Sequence, residues 1–401
     1  MNLRADLPKD LFNWLFATLI FVLPFSAAIP NVLLAVALLA FLVSFRRSDL
    51  NKVKQSPFLL FNLFVLYLVI KSVINGDLLS DLKYFSVYLI ICLVPVLISK
   101  VDNILLLKRT ALVSINLTIS ISIVQIFIFH NKFGYFPFTH GWAVNWVLWL
   151  ERPYAGIFSI LSIILSLDLL VNTKKHRSWY AASLFVSVLF IFFMSARMSM
   201  LTCIIGGTIY ILFYLKRPIF QRAIFFAVIL LTIVIAAFNS RNITKRFFIK
   251  DSVSQTIQGA KAEEPRVVIW SCAYKMAGSD EFNLLSGLAS YSDIKNSFNE
   301  CFGTIEDQSK RDFFINNGFN AHNQFIDFFL IGGLLGISLF TAFLIALIMY
   351  VRQNFFALSI VLAFILFLLV ENVFFRQFGA YLFSIFVALY ITQKRLVNEE
   401  N

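Results

Sequence analysis

HNQFIDFFLIGGLLGISLFTAFLIALIMY, residues 322–350, decides how this chain folds. After His322 and Asn323 the stretch is almost wholly apolar, and Asp327 is its one charged residue. An α-helix rises about 1.5 Å per residue, so about 20 apolar residues cross a hydrocarbon core of about 30 Å. Residues 324–350 therefore read as a membrane span. His322 stands where a long polar segment meets that span, at a boundary between water and lipid. An imidazole titrates near neutrality, so a histidine there can accept or donate a proton.

The rest of the chain has the same character. Of 401 residues, 59% are hydrophobic and 14% charged, with 47 phenylalanines and a mean hydropathy of +0.81. Soluble domains are about 45–50% apolar and about 25% charged. The sequence predicts an all-α polytopic integral membrane protein. Twelve spans are expected, at 11–28, 30–45, 57–75, 83–99, 110–129, 154–171, 179–196, 199–215, 222–239, 324–350, 354–371 and 377–393. The first apolar run begins near Leu11 and passes straight into the second, so no cleaved leader is expected.

Twelve spans place both termini on one side. That side holds 18 of the 34 Lys and Arg residues, against 6 in the short loops and span ends opposite. Positive charge collects on the cytoplasmic side. Both termini are therefore expected in the cytoplasm and the 240–321 segment outside, as a loop subdomain within one integral domain, 1–401. Short helices are expected at 263–278 and 291–300. Residues 130–153 carry Phe133, Tyr135, Phe136, Phe138, Trp142, Trp146 and Trp149, rings that favour the interfacial layer. Cys92 and Cys203 lie in apolar runs and read as packing residues. Cys272 and Cys301 share the long loop, where an oxidising compartment would permit a disulfide; the sequence leaves both states open.

Three positions stand out. Arg197, in FMSARMSML, lies between two apolar runs on the outer side, where an arginine is costly and tends to be functional or paired. A hinge arginine reaching for the surface is the alternative. Arg266 follows Pro265, which suits the first turn of a helix, and shares a face with Trp270 and Tyr274; Glu263 and Glu264 are its available partners. His322 is followed by a Gly-Gly-x-x-Gly run that permits close helix approach. Asp327 is an intramembrane acid, a functional candidate by default. Glu371 and Arg376 flank the last outer turn and either pair or join the site. His176 sits among cytoplasmic cations, and His130 and His140 in the aromatic outer loop. No phosphate-binding glycine loop, acidic metal-diphosphate motif or metal-ligand spacing occurs, so neither a nucleotide nor a metal is expected.

His322-Asn323, nine residues, Gly333, two residues, Gly336 matches a pattern typical of bacterial O-antigen ligases. Ser195-Ala196-Arg197, Arg266 ahead of Trp270, and NLLSGLASY (283–291) are also similar to that family, as is a long loop between the ninth and tenth spans. The resemblance implies transfer of a glycan from undecaprenyl diphosphate to lipid A-core at the periplasmic face of the inner membrane. His322 would be the base and Arg197 and Arg266 the diphosphate ligands, with Asn323, Asp327 and Arg376 in support. The basic loop residues Lys245, Arg246, Lys250 and Lys261 would attract the anionic acceptor. It implies an inverting reaction with no cofactor, metal, nucleotide or nucleic acid. The same superfamily contains polysaccharide polymerases, which use that donor. A transporter of lipid-linked glycan is the non-enzymatic alternative, but the chain shows no two-half symmetry.

Overall fold

The structure, a computed structural model, describes residues 10–54, 56–137, 141–194, 196–215, 218 and 264–400. Among them every regular element is helical except an isolated bridge between Asn283 and Gly287. The chain is an all-α polytopic membrane protein: 7 described helices are long and apolar enough to cross a membrane. The expected span at 222–239 lies outside the described residues, as do Ser195, His140, Glu263, Lys245, Arg246, Lys250 and Lys261. The other expected spans are all helical, but three are short. Leu11–Val22, Ile29–Val43 and Phe355–Leu368 have 12, 15 and 14 residues. At about 1.5 Å per residue each falls below a core thickness of about 30 Å, which corrects the lengths read from hydropathy. Turn residues cut them off: the first two are separated by Leu23 to Ala28.

The chain forms two compact units. One comprises Leu105–Glu263 and Gln353–Leu366. Its tightest pair is Arg152–Asn172 against Arg177–Met194, joined through serines. Ser162 and Ser183 stand 3.1 Å apart, and Ser187 donates to Ser162 at 2.8 Å. Small hydroxyl residues let apolar helices approach closely and still bond across the seam. Cys203 is exposed on this unit rather than packed inside it, contrary to expectation.

The other unit comprises Met1–Ile104, Glu264–Arg352 and Phe367–Asn401. Its core is aromatic: Phe61, Phe64, Phe328, Phe340, Phe343 and Phe374 are completely buried. Phe328 lies 4.6 Å from Phe64 and 4.7 Å from Phe340, centroid to centroid, within the range of favourable ring pairs.

The Gln324–Val351 helix is broken at Gly333, where φ is 59° and ψ is −156°, a region open essentially to glycine alone. The loop 283–291 fills the break. Leu288 donates to the Leu330 carbonyl at 2.8 Å, and Leu334 and Leu335 donate to the carbonyls of Leu284 and Leu285 at 2.9 and 3.1 Å. The Tyr67 hydroxyl donates to the Gly332 carbonyl at 2.9 Å, and the Lys71 ammonium to those of Leu288 and Ile331. A Cβ on Gly333 would lie 2.4 Å from the Leu285 carbonyl carbon, and one on Gly287 2.4 Å from the Leu330 oxygen. Gly333 thus admits a loop backbone, not a neighbouring helix. Gly336 does face a helix, with Phe64 and Tyr67 at ordinary contact distance.

Beyond that loop run Pro265–Ala277, Tyr291–Gly303 and Gln308–Asn317; the third was not expected from the sequence. Cys272 and Cys301 form a disulfide between the first two. Tyr291 pins this region to the spans. Its amide donates to Asp81 at 3.0 Å, its ring stacks on Tyr84, and its hydroxyl lies 2.6 Å from that of Tyr88. Burial pushes the Tyr291 phenol well above the usual range, so it stays protonated.

The two motif glycines should therefore differ. Gly333→Ala should lower the unfolding temperature in detergent, since the backbone conformation alone costs about 1–3 kcal/mol and the new methyl strikes Leu285. Gly336→Ala should be close to neutral in the same melt. Equal behaviour of the two would remove the special role of Gly333.

Candidate active site

His322 occupies a strained position. Its φ is 46°, in the left-handed region that non-glycine residues seldom enter. Such strain costs on the order of 1–3 kcal/mol and gathers at functional sites. The surroundings hold it there. The His322 amide donates to the Asn320 side chain at 3.1 Å. Asn323 caps the broken helix by accepting from Phe325 and Ile326 at 2.9 and 3.1 Å. These bonds satisfy amides that a helix start otherwise leaves open. The His322 side chain keeps 26% of its surface exposed, enough for a substrate to reach it.

A second segment, residues 369–376, lies against it. The Asn323 side chain donates to the Leu369 carbonyl at 2.9 Å. Arg266 donates to the Val370 carbonyl at 3.0 Å. Asn372 donates to Asp327, and Phe374 donates to the Gln324 side chain at 2.9 Å. The same segment presents Glu371, whose carboxylate lies 3.5 Å from His322 Nδ1. Arg266, His322, Asn323, Asp327 and Glu371 thus converge on one short stretch of backbone, with Arg376 at its end.

Arg266 begins the Pro265–Ala277 helix as the spacing predicts, and Trp270, one turn on, donates to the Ala321 carbonyl at 2.9 Å, next to His322. The Arg266 guanidinium also pairs with Glu264 at 3.0 Å, with side chains 34% and 25% exposed. Asp327 is buried and receives its bond from Asn372, so it fastens the segment and does not line an open cavity. Arg197 begins the Arg197–Ile209 helix of the other unit. Among the described residues no three His, Cys, Asp or Glu side chains stand together as a metal ion would require.

The sequence reading left the roles of Lys71, Tyr67, Asp81 and Asn372 unseen. Lys71 and Asp81 sit near span ends, where a charge reads as an ordinary interfacial group. Their partners lie more than 200 residues along the chain, so no local pattern marks them.

These features define a polytopic membrane protein with a histidine, a carboxylate and an arginine gathered where its spans meet a polar region. Residues 181–341 match the family model described as O-antigen ligase. The match includes Arg197, Arg266, His322, Gly333 and Gly336; Glu371 lies beyond it. It supports a ligase- or polymerase-type glycosyl-transferring function in O-antigen processing, with lipid-linked polysaccharide as the class of substrate. No curated protein matches the chain.

Asn323 both caps a helix and holds the 369–376 segment. Asn323→Ala should cost about 0.5–2 kcal/mol of stability from the cap alone. Asn323→Asp keeps the cap acceptor but loses the donor to Leu369. It should retain most of the melting temperature and lose transfer activity. Wild-type activity in Asn323→Asp would show that the bond to Leu369 is dispensable.

Proposed function

We propose that this protein is an O-antigen ligase, moving undecaprenyl-diphosphate-linked O-antigen to lipid A-core at the periplasmic face of the inner membrane. The observation that carries this reading is the placement of His322 and Arg266 on one stretch of backbone, through Asn323 with Leu369 and through Arg266 with Val370. A base and an anion ligand held at fixed spacing suit a reaction in which a hydroxyl displaces a diphosphate. The disulfide Cys272–Cys301 supports an oxidising, periplasmic setting for this region, with both termini cytoplasmic.

His322 takes the proton of the acceptor hydroxyl as its oxygen attacks the anomeric carbon. The bond from that carbon to the diphosphate breaks, undecaprenyl diphosphate leaves, and the configuration inverts. Arg266 stabilises the charge on the leaving diphosphate. In the resting structure Glu264 holds that guanidinium. A partly exposed ion pair contributes only about 0–1 kcal/mol, whereas a guanidinium can bond phosphate oxygens in a bidentate fork. The donor therefore displaces Glu264 readily. Arg197 is assigned to donor binding on its sequence motif alone, and Arg376 to support. The reaction needs no cofactor, metal or nucleotide, because the energy resides in the lipid diphosphate bond.

A deletion strain tests ligase against polymerase. Lipopolysaccharide lacking all O-chain, with lipid-linked polymer accumulating, is the expected result; a single-repeat cap on the core would show a polymerase. Arg266→Ala should insert normally and lose transfer. Arg197→Lys should recover part of what Arg197→Ala loses, since an ammonium cannot form the fork. Turnover of purified protein should persist in excess EDTA. Loss restored by a divalent ion would overturn the metal-independent mechanism.

A further inference from the structure

We infer that Glu371 positions the imidazole of His322, fixing which ring nitrogen carries the resting proton. The inference rests on the proposed role of His322 as general base. The Nδ1 atom is buried and makes no hydrogen bond. The Glu371 carboxylate, 3.5 Å away, is its ion-pair partner. A neutral imidazole carries one N–H. With a carboxylate facing Nδ1, the proton rests there and the lone pair stays on Nε2, the nitrogen that must accept the acceptor's proton. When Nε2 takes that proton the ring becomes an imidazolium, and Glu371 then faces a full positive charge. The contact is stronger in the charged state than at rest, as a catalytic interaction must be. A distance of 3.5 Å at rest accords with this, because hydrogen bonds of this kind tighten only in the reacting complex.

The position of Glu371 is fixed, not incidental. Its neighbours Leu369, Val370 and Asn372 are bonded to Asn323, Arg266 and Asp327. Its side chain is only 12% exposed, so solvent weakens the contact little. The other charged groups fastened to this segment are Arg266, with its partner Glu264, and Asp327 through Asn372. Arg376 ends it. None of these is hydrogen-bonded to His322 Nδ1.

The test uses full-length protein in liposomes, with undecaprenyl-diphosphate-linked glycan and lipid A-core extracted from a strain that lacks the protein. Glu371→Gln should lower kcat, by up to the about 10²–10⁴-fold that general-base assistance supplies, with KM for the donor unchanged. Glu371→Asp, which keeps the carboxylate, should restore part of the rate.

A wild-type kcat in Glu371→Gln, or a loss that Glu371→Asp does not relieve at all, overturns the positioning role. A rise in donor KM at constant kcat does the same. His322→Ala separates this from the underlying reading. If His322→Ala is inactive while Glu371→Gln behaves as wild type, only the role of Glu371 fails. If His322→Ala keeps full activity, the general-base reading fails and the present inference goes with it.

Discussion

The site depends on one broken helix. Within a membrane an unpaired peptide group costs several kcal/mol, so irregular backbone survives there only when protein supplies the missing partners. Gly333 opens such a gap in Gln324–Val351. The loop 283–291, the Tyr67 hydroxyl and the Lys71 ammonium close it. Two glycines make this possible, one on each side of the contact, because a side chain on either would strike the facing backbone. The break sets how far the first part of the helix runs, and its capped start carries Asn323 and His322. The loop continues into Tyr291, whose bonds to Asp81 and Tyr88 seat the next helix.

The disulfide adds a second tie. It joins the helix that begins with Arg266 to the helix that begins with Tyr291. In the chain-entropy model, closing a loop of this length is worth roughly 3–4 kcal/mol. Arg266 is therefore anchored at both ends of its reach, through the cystine and through Val370. A cation fixed in this way has little freedom left to lose when an anion binds it.

Much of this was legible in the sequence, for identifiable reasons. Span existence follows from long apolar runs, and Pro265 and the paired Arg266 and Trp270 mark a helix start correctly. His322, Gly333 and Gly336 carry a spacing pattern that survives into the structure. What stayed hidden is long-range pairing. The sequence leaves Glu371 open between pairing with Arg376 and joining the site, and only the fold brings it to His322. Gly333 and Gly336 look alike in sequence, yet one breaks the helix and the other packs against Phe64. The short helices were overestimated because hydropathy continues through Pro24 and the residues after it while helical geometry does not. The Gln308–Asn317 helix is polar on most of its surface and shows no apolar stripe to betray it.

Asp327 shows why an intramembrane acid must be read through its contacts. Its rarity marks it as a functional candidate, and it lies five residues after His322. Yet it is buried and bonded to Asn372, the residue after Glu371. A carboxyl held there cannot meet a sugar hydroxyl. It instead ties the broken helix to the segment that carries Glu371, as Gln324 does through Phe374. Asp327 thus bears on the geometry of the segment, since its partner Asn372 directly follows Glu371 in the chain. Polar groups in an apolar slab are costly unless fully partnered. Here the Asp327–Asn372 bond helps fix the relation between His322 and the Glu371 carboxylate.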